Sequence, residues 1–118
     1  MTVQRLHVQK RFSEIAISGN LIHLAGQLAS DTSLDIKGQT QQTLDYIDQF
    51  LADAGSDKSH ILSVMIFVKD IAINYAPMNE VWDAWVADIE ALPRTCIEAN
   101  MNRPEILVEM TVVAVKAD

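Results

Sequence analysis

Two charged residues, Arg94 and Glu109, stand in apolar segments near the end of the sequence. Arg94 opens a short run that continues with Thr95, Cys96 and Ile97, and Glu109 interrupts the run at residues 106–113. Both runs are typical of β-strands. Because an ionised group buried in a sheet is costly unless it is paired and hydrogen-bonded, we predict that the two charges face each other, face a ligand or line a wet cleft.

The residue types suggest a specific chemistry. A guanidinium offers a planar fork of donors suited to a carboxylate, and a nearby glutamate can position or activate a water molecule. Arg94 and Glu109 together therefore suit a small carboxylate substrate and a hydrolytic step. If their two strands formed a hairpin, the side chains would approach a common pocket near its open end. The alternative is a structural ion pair at a subunit seam.

Other chemistry-bearing residues give weaker signals. Cys96 beside Arg94 has two interpretations, a reactive thiolate favoured by the positive charge or a small buried apolar residue. His7, His23 and His60 are scattered along the chain, and their spacing matches no zinc pattern. We therefore predict no metal site.

Composition limits the class of protein. The chain of 118 residues fits a single domain spanning residues 1–118. Its formal charge of −7 disfavours nucleic acid and anionic membranes as partners. One cysteine permits no intramolecular disulfide, and no secretory signal or apolar run of membrane-spanning length is evident. We expect a cytoplasmic protein.

The elements that must position these residues follow from hydrophobic periodicity. The pattern predicts a hairpin of residues 11–18 and 21–27 joined by a two-residue turn. A weaker pattern at residues 2–8 indicates an additional edge strand. Residues 39–54 have helical spacing and end before Gly55, while residues 62–68 read as a strand that is apolar on both faces.

A second helix follows that strand. Its apolar stripe comprises Met78, Trp82, Trp85 and Ile89, with Pro77 placed near its start. Together these elements predict an α+β fold in which two helices cover one face of a mixed sheet. Because the strands are apolar toward both sides, we expect another copy of the chain to cover the second face.

Several short motifs together resemble the YjgF/Rid family of reactive intermediate deaminases, also called the endoribonuclease L-PSP family. The motifs, in order, are Leu24-Ala25-Gly26-Gln27, Gln39-Thr40, Leu51-Ala52-Asp53-Ala54-Gly55, Phe67-Val68-Lys69-Asp70, Met78-Asn79-Glu80-Val81-Trp82, Pro93-Arg94-Thr95-Cys96 and Val108-Glu109. The resemblance extends from about residue 11 to residue 115.

The resemblance implies a fold like that of the small trimeric chorismate mutases, with three subunits around a central barrel and a cleft at each boundary. It implies hydrolysis of 2-imino acids to 2-keto acids and ammonia, without metal or cofactor. By this likeness Arg94 would clamp the substrate carboxylate and Glu109 would hold the attacking water. Backbone groups of Gly26 and Cys96 would border the pocket, and Asn79 would have a structural or pocket-rim role.

One position departs from the family pattern. Active members carry a tyrosine on the first hairpin strand, in the substrate pocket, and the matching residue here is Phe12. The missing hydroxyl leaves two functions open. The first is imine deamination, and the second is a non-catalytic or regulatory trimer that binds a small 2-keto carboxylate.

Overall fold

A mixed sheet organises residues 2–118, the part of the chain that the computed structural model describes. Its strands are β1 (Val3–Val8), β2 (Ser13–Ser18), β3 (Leu21–Gln27), β4 (Ile61–Val68), β5 (Arg94–Glu98) and β6 (Val108–Val115). Their spatial order is β1-β2-β3-β6-β4-β5. Helix α1 (Ile36–Asp53) lies between β3 and β4 in sequence, and helix α2 (Ile71–Trp85) lies between β4 and β5. The predicted α+β arrangement is confirmed.

The first hairpin has the register that the sequence predicts. Ile15 pairs with Leu24 and Ile17 pairs with Ile22, so the four aliphatic side chains share one buried face. The turn contains Gly19 at a φ of 61°, a left-handed conformation that glycine adopts without steric cost.

Helix α1 begins three residues before the predicted start at Gln39. Asp35 is its N-cap, and the carboxylate accepts a hydrogen bond from the backbone N–H of Gly38 at 2.9 Å. The helix ends before Gly55, whose φ is 80°, as the pattern predicts.

The predicted bounds of the second helix are wrong at both ends. Pro77 is the seventh residue of α2 rather than near its start, and Ile89 lies beyond its last residue. The start is set by Glu98 of β5, whose carboxylate accepts from the backbone N–H of Ile71 at 3.0 Å. Local sequence patterns cannot show such a cap, because Glu98 lies 27 residues away.

The hairpin considered for the last two strands is also absent. Strand β4 lies between them, parallel to β5 and antiparallel to β6. Strand β4 is an inner strand next to the edge strand β5, so both of its edges are hydrogen-bonded. Arg94 and Glu109 are therefore on strands that do not touch.

The two faces of the sheet differ. Val108, Met110, Val112 and Ala114 alternate along β6 on the face that packs against both helices. We call this the helix face and the opposite one the open face. The open face exposes large apolar side chains, Leu21, Leu62, Met65 and Ile97, each between 37% and 46% accessible. The described residues of one chain leave this face uncovered. No helix in the described part of the chain is long and apolar enough to cross a membrane.

Candidate active site

Two attachments fix β5 against α2 and so determine where Arg94 lies. Glu98, at one end of β5, caps the first turn of α2, and Arg94, at the other end, contacts Asn79 further along the helix. Four residues of strand span about 13 Å. Eight residues of helix, from Ile71 to Asn79, span about 12 Å. Strand and helix thus run alongside each other with matching attachment points.

The Arg94 guanidinium is held by neutral groups. Its Nη2 donates to Oδ1 of Asn79 at 2.7 Å and to the hydroxyl of Tyr75 at 3.3 Å. Its Cζ lies 5.1 Å from the ring centroid of Trp82 and 5.8 Å from that of Tyr75, within range of cation–π attraction. No carboxylate of the described residues pairs with it. Its Nη1 is enclosed and has no hydrogen-bond partner there. Among residues 2–118 no negative charge compensates this positive charge.

Glu109 lies on the open face, beside an irregularity between β3 and β6. The register shifts between Leu24 and Gln27, so one extra residue of β3 bulges at Ala25 and Gly26. A Cβ atom added to Gly26 would lie 2.1 Å from Oε2 of Glu109. The absence of a side chain at Gly26 therefore makes the space that the carboxylate occupies. Burial raises the pKa of Glu109, and its carboxylate makes no hydrogen bond or ion pair with the other described side chains.

Sheet register shows that Arg94 and Glu109 of one chain do not meet. Arg94 is opposite Val64, which is opposite Val112, and this row belongs to the helix face. Glu109 is three residues from Val112, an odd number, so it points to the other face. The two residues are also separated by two strand spacings, about 10 Å. A site that uses both needs a second chain.

Cys96 and Phe12, also proposed for the pocket, lie on different strands of the sheet or next to them. Cys96 shares the helix face with Arg94 and packs against the core. Burial raises the pKa of its thiol more than the charge of Arg94 lowers it, which favours the buried apolar interpretation. Phe12 precedes β2 and is 52% exposed.

A cavity of about 440 Å³ borders Arg94. It is lined by Ser63, Val64, Met65, Pro93, Arg94, Thr95, Thr111 and Val113. Most of these residues, Ser63, Met65, Thr95, Thr111 and Val113, belong to the open face, and Glu109 is not among the lining residues. Among residues 2–118 no group of three or more His, Cys, Asp or Glu side chains is placed to hold a metal ion.

Sequence reasoning assigned no role in the site to two residues that organise this region, Tyr75 and Gln39. Tyr75 precedes Asn79 by four positions, so both lie on one face of α2, and this spacing was a usable signal. Gln39 is fully buried and accepts from the backbone N–H of Leu107 at 2.9 Å. Its amide donates to the carbonyl of Glu105, which fixes the segment leading to Glu109.

Comparison with known proteins supports the resemblance noted above. The Endoribonuclease L-PSP family profile matches residues 2–116. The chain belongs to this family. A RutC family protein of Haemophilus ducreyi is 42% identical over 112 residues, covering 95% of each chain.

The family's solved structures share the fold. The crystal structure of NMB1025 from Neisseria meningitidis, a member of the YjgF protein family, has a TM-score of 0.95 at 40% identity. That match covers 100% of this chain and 98% of the other. A more distant family relative, the 2-iminobutanoate/2-iminopropanoate deaminase of Escherichia coli K12, is 26% identical, covering 83% of this chain and 81% of that protein.

Proposed function

We propose that this L-PSP family chain is a cytoplasmic homotrimer that hydrolyses small 2-imino acids to 2-keto acids and ammonia. The reaction would take place in clefts between neighbouring subunits. The observation that carries the proposal is the Arg94 guanidinium, which is held in place by neutral partners and has no carboxylate partner in the described part of its own chain. Such a group suits a ligand carboxylate.

The placement of the two charged residues supports a shared cleft. Arg94 and Glu109 point to opposite faces of one sheet, so a site containing both takes Arg94 from one subunit and Glu109 from the next. The exposed apolar side chains of the open face support assembly, because large uncovered apolar surfaces mark interfaces. The relationship to the E. coli deaminase supports the type of reaction.

The proposed reaction uses these groups as follows. Arg94 holds the substrate carboxylate and so places the C=N carbon near Glu109. The Glu109 carboxylate accepts a proton from water as the water oxygen bonds to that carbon, and the imine nitrogen becomes an amine. That proton passes from Glu109 to the nitrogen, which completes a carbinolamine. Glu109 then takes the hydroxyl proton of the carbinolamine and gives it to the nitrogen, so the C–N bond breaks as the C=O bond forms, releasing ammonia and leaving a 2-keto acid. Burial raises the pKa of Glu109, which makes its carboxylate a stronger base than that of an ordinary glutamate.

The test is to generate 2-iminopropanoate or 2-iminobutanoate in solution and follow its loss. We expect the wild-type chain to accelerate the loss and Arg94→Ala to abolish most of the acceleration. Arg103→Ala is the matched control, because that arginine lies at the surface near Glu105. If the imine is lost no faster with the wild-type chain than in buffer alone, the proposed hydrolytic function is wrong. Full activity in Arg94→Ala would remove Arg94 from the site.

A second function is favoured by Phe12. Where active relatives are expected to have a phenol, this chain has a hydrocarbon ring that cannot donate a hydrogen bond. A trimer that binds a 2-keto acid without turnover would show saturable binding of 2-oxobutanoate in calorimetry together with no effect on imine decay.

A further inference from the structure

The reaction described above gives Tyr75 no contact with the substrate. The Tyr75 hydroxyl accepts from Nη2 of Arg94 at 3.3 Å. A phenol is both donor and acceptor, so its own O–H is still available to donate. The residue is 42% exposed although its ring lies 5.8 Å from the guanidinium carbon. The hydroxyl is therefore a donor at the surface beside an uncompensated positive charge.

The contacts of the Arg94 guanidinium differ in how deeply they are buried. Its Nη1 is enclosed, and the bond from Nη2 to Asn79 is partly buried. The bond from Nη2 to Tyr75 is exposed. An anion arriving from solvent consequently meets the guanidinium on the side of the Tyr75 hydroxyl.

We infer that Tyr75 is a ligand-binding residue of this site, whose hydroxyl donates to the carboxylate held by Arg94. This inference rests on the proposed function, because it takes the ligand to be a small 2-imino or 2-keto acid. A carboxylate oxygen placed between Nη2 of Arg94 and the Tyr75 hydroxyl would accept from both groups. The long hydrogen bond from Nη2 to a neutral acceptor is then replaced by two hydrogen bonds to a charged acceptor, which are shorter and stronger.

The inference also accounts for the residue at position 12. The chain has two tyrosines. Tyr46 lies on α1 with its ring stacked on Phe50, 6.1 Å between centroids. Tyr75 is thus the tyrosine placed beside Arg94, and it supplies from α2 a phenolic hydroxyl that Phe12 lacks.

The test compares Tyr75→Phe with Tyr46→Phe as the matched control. Tyr75→Phe keeps the ring against Arg94 and removes only the hydroxyl. We expect it to weaken 2-oxobutanoate binding by about 10- to 100-fold, the effect of one hydrogen bond to a charged group. In the imine assay KM should rise by a similar factor while kcat changes less. Thermal unfolding should be unchanged, and Tyr46→Phe should behave as wild type.

The outcomes separate this inference from the proposed function. If the wild type hydrolyses the imine and Tyr75→Phe binds 2-oxobutanoate with wild-type affinity, Tyr75 is only a structural brace and the inference is wrong. If the wild type binds 2-oxobutanoate in a Tyr75-dependent manner without hydrolysis, the inference stands and the hydrolytic function falls. A wild type that neither binds nor hydrolyses overturns both.

Discussion

Gly26→Ala should disable Glu109 without unfolding the protein. The added Cβ would lie 2.1 Å from Oε2 and 2.9 Å from Cδ of Glu109. Non-bonded heavy atoms need about 3.5 Å, so the carboxylate must move by at least about 1 Å. A displacement of that size in a reacting group lowers turnover by about 100-fold. Gly26 does not have a positive φ, and the obstructing atoms are the end of a flexible side chain. Stability should therefore change little.

The assay is imine decay with the wild type, Gly26→Ala, Glu109→Ala and the double variant, each with a thermal unfolding curve. In Glu109→Ala the clash is gone, so adding Gly26→Ala should cause no further loss of rate. A Gly26→Ala chain with full activity would show that the position of the Glu109 carboxylate does not matter. A large fall in the unfolding temperature would show that Gly26 serves packing instead.

Two further predictions concern charge. Asn79→Asp places a carboxylate where the amide oxygen now lies 2.7 Å from Arg94. Because this carboxylate competes with the substrate for Arg94, KM should rise at least about tenfold without loss of stability. An unchanged KM would mean that the charge of Arg94 is not used in binding. Burial raises the pKa of Glu109, so between its ordinary and raised pKa values the folded chain binds more protons than the unfolded chain, and stability falls as pH rises through that window. Glu109→Gln should remain folded, lack this fall in stability and lose most turnover. The wild-type kcat/KM should rise with pH through a pKa above that of an ordinary glutamate. A Glu109→Gln variant that retains turnover would exclude Glu109 as the base.

Local features of the fold were predictable from sequence because they depend on neighbouring residues. The Gly19-Asn20 turn fixes the register of the first hairpin, in which Ile15 pairs with Leu24 and Ile17 pairs with Ile22. The bounds of α2 were not predictable in this way, because Glu98 caps it from a distant strand.

The relation between the two charged residues was harder to predict. Strands β5 and β6 are consecutive in sequence, which favours a hairpin, yet β4 lies between them. Insertion of β4 is a long-range pairing with β5 on one edge and β6 on the other, which the patterns of the individual strands do not show. The uncompensated state of Arg94 likewise depends on α2, where Tyr75 and Asn79 reach it from 19 and 15 residues away. Residue types indicated the chemistry, whereas the arrangement needed the three-dimensional structure.

The most direct test of the shared cleft is to mix two inactive variants. Arg94→Ala and Glu109→Gln subunits are denatured together in equal amounts and reassembled, so that the proposed trimers are hybrids of the two variants. If each site takes Arg94 from one subunit and Glu109 from the next, about a quarter of the sites in a cyclic trimer regain both residues, and activity should return to about a quarter of wild type. A mixture that stays as inactive as either variant alone would contradict a site built between two copies.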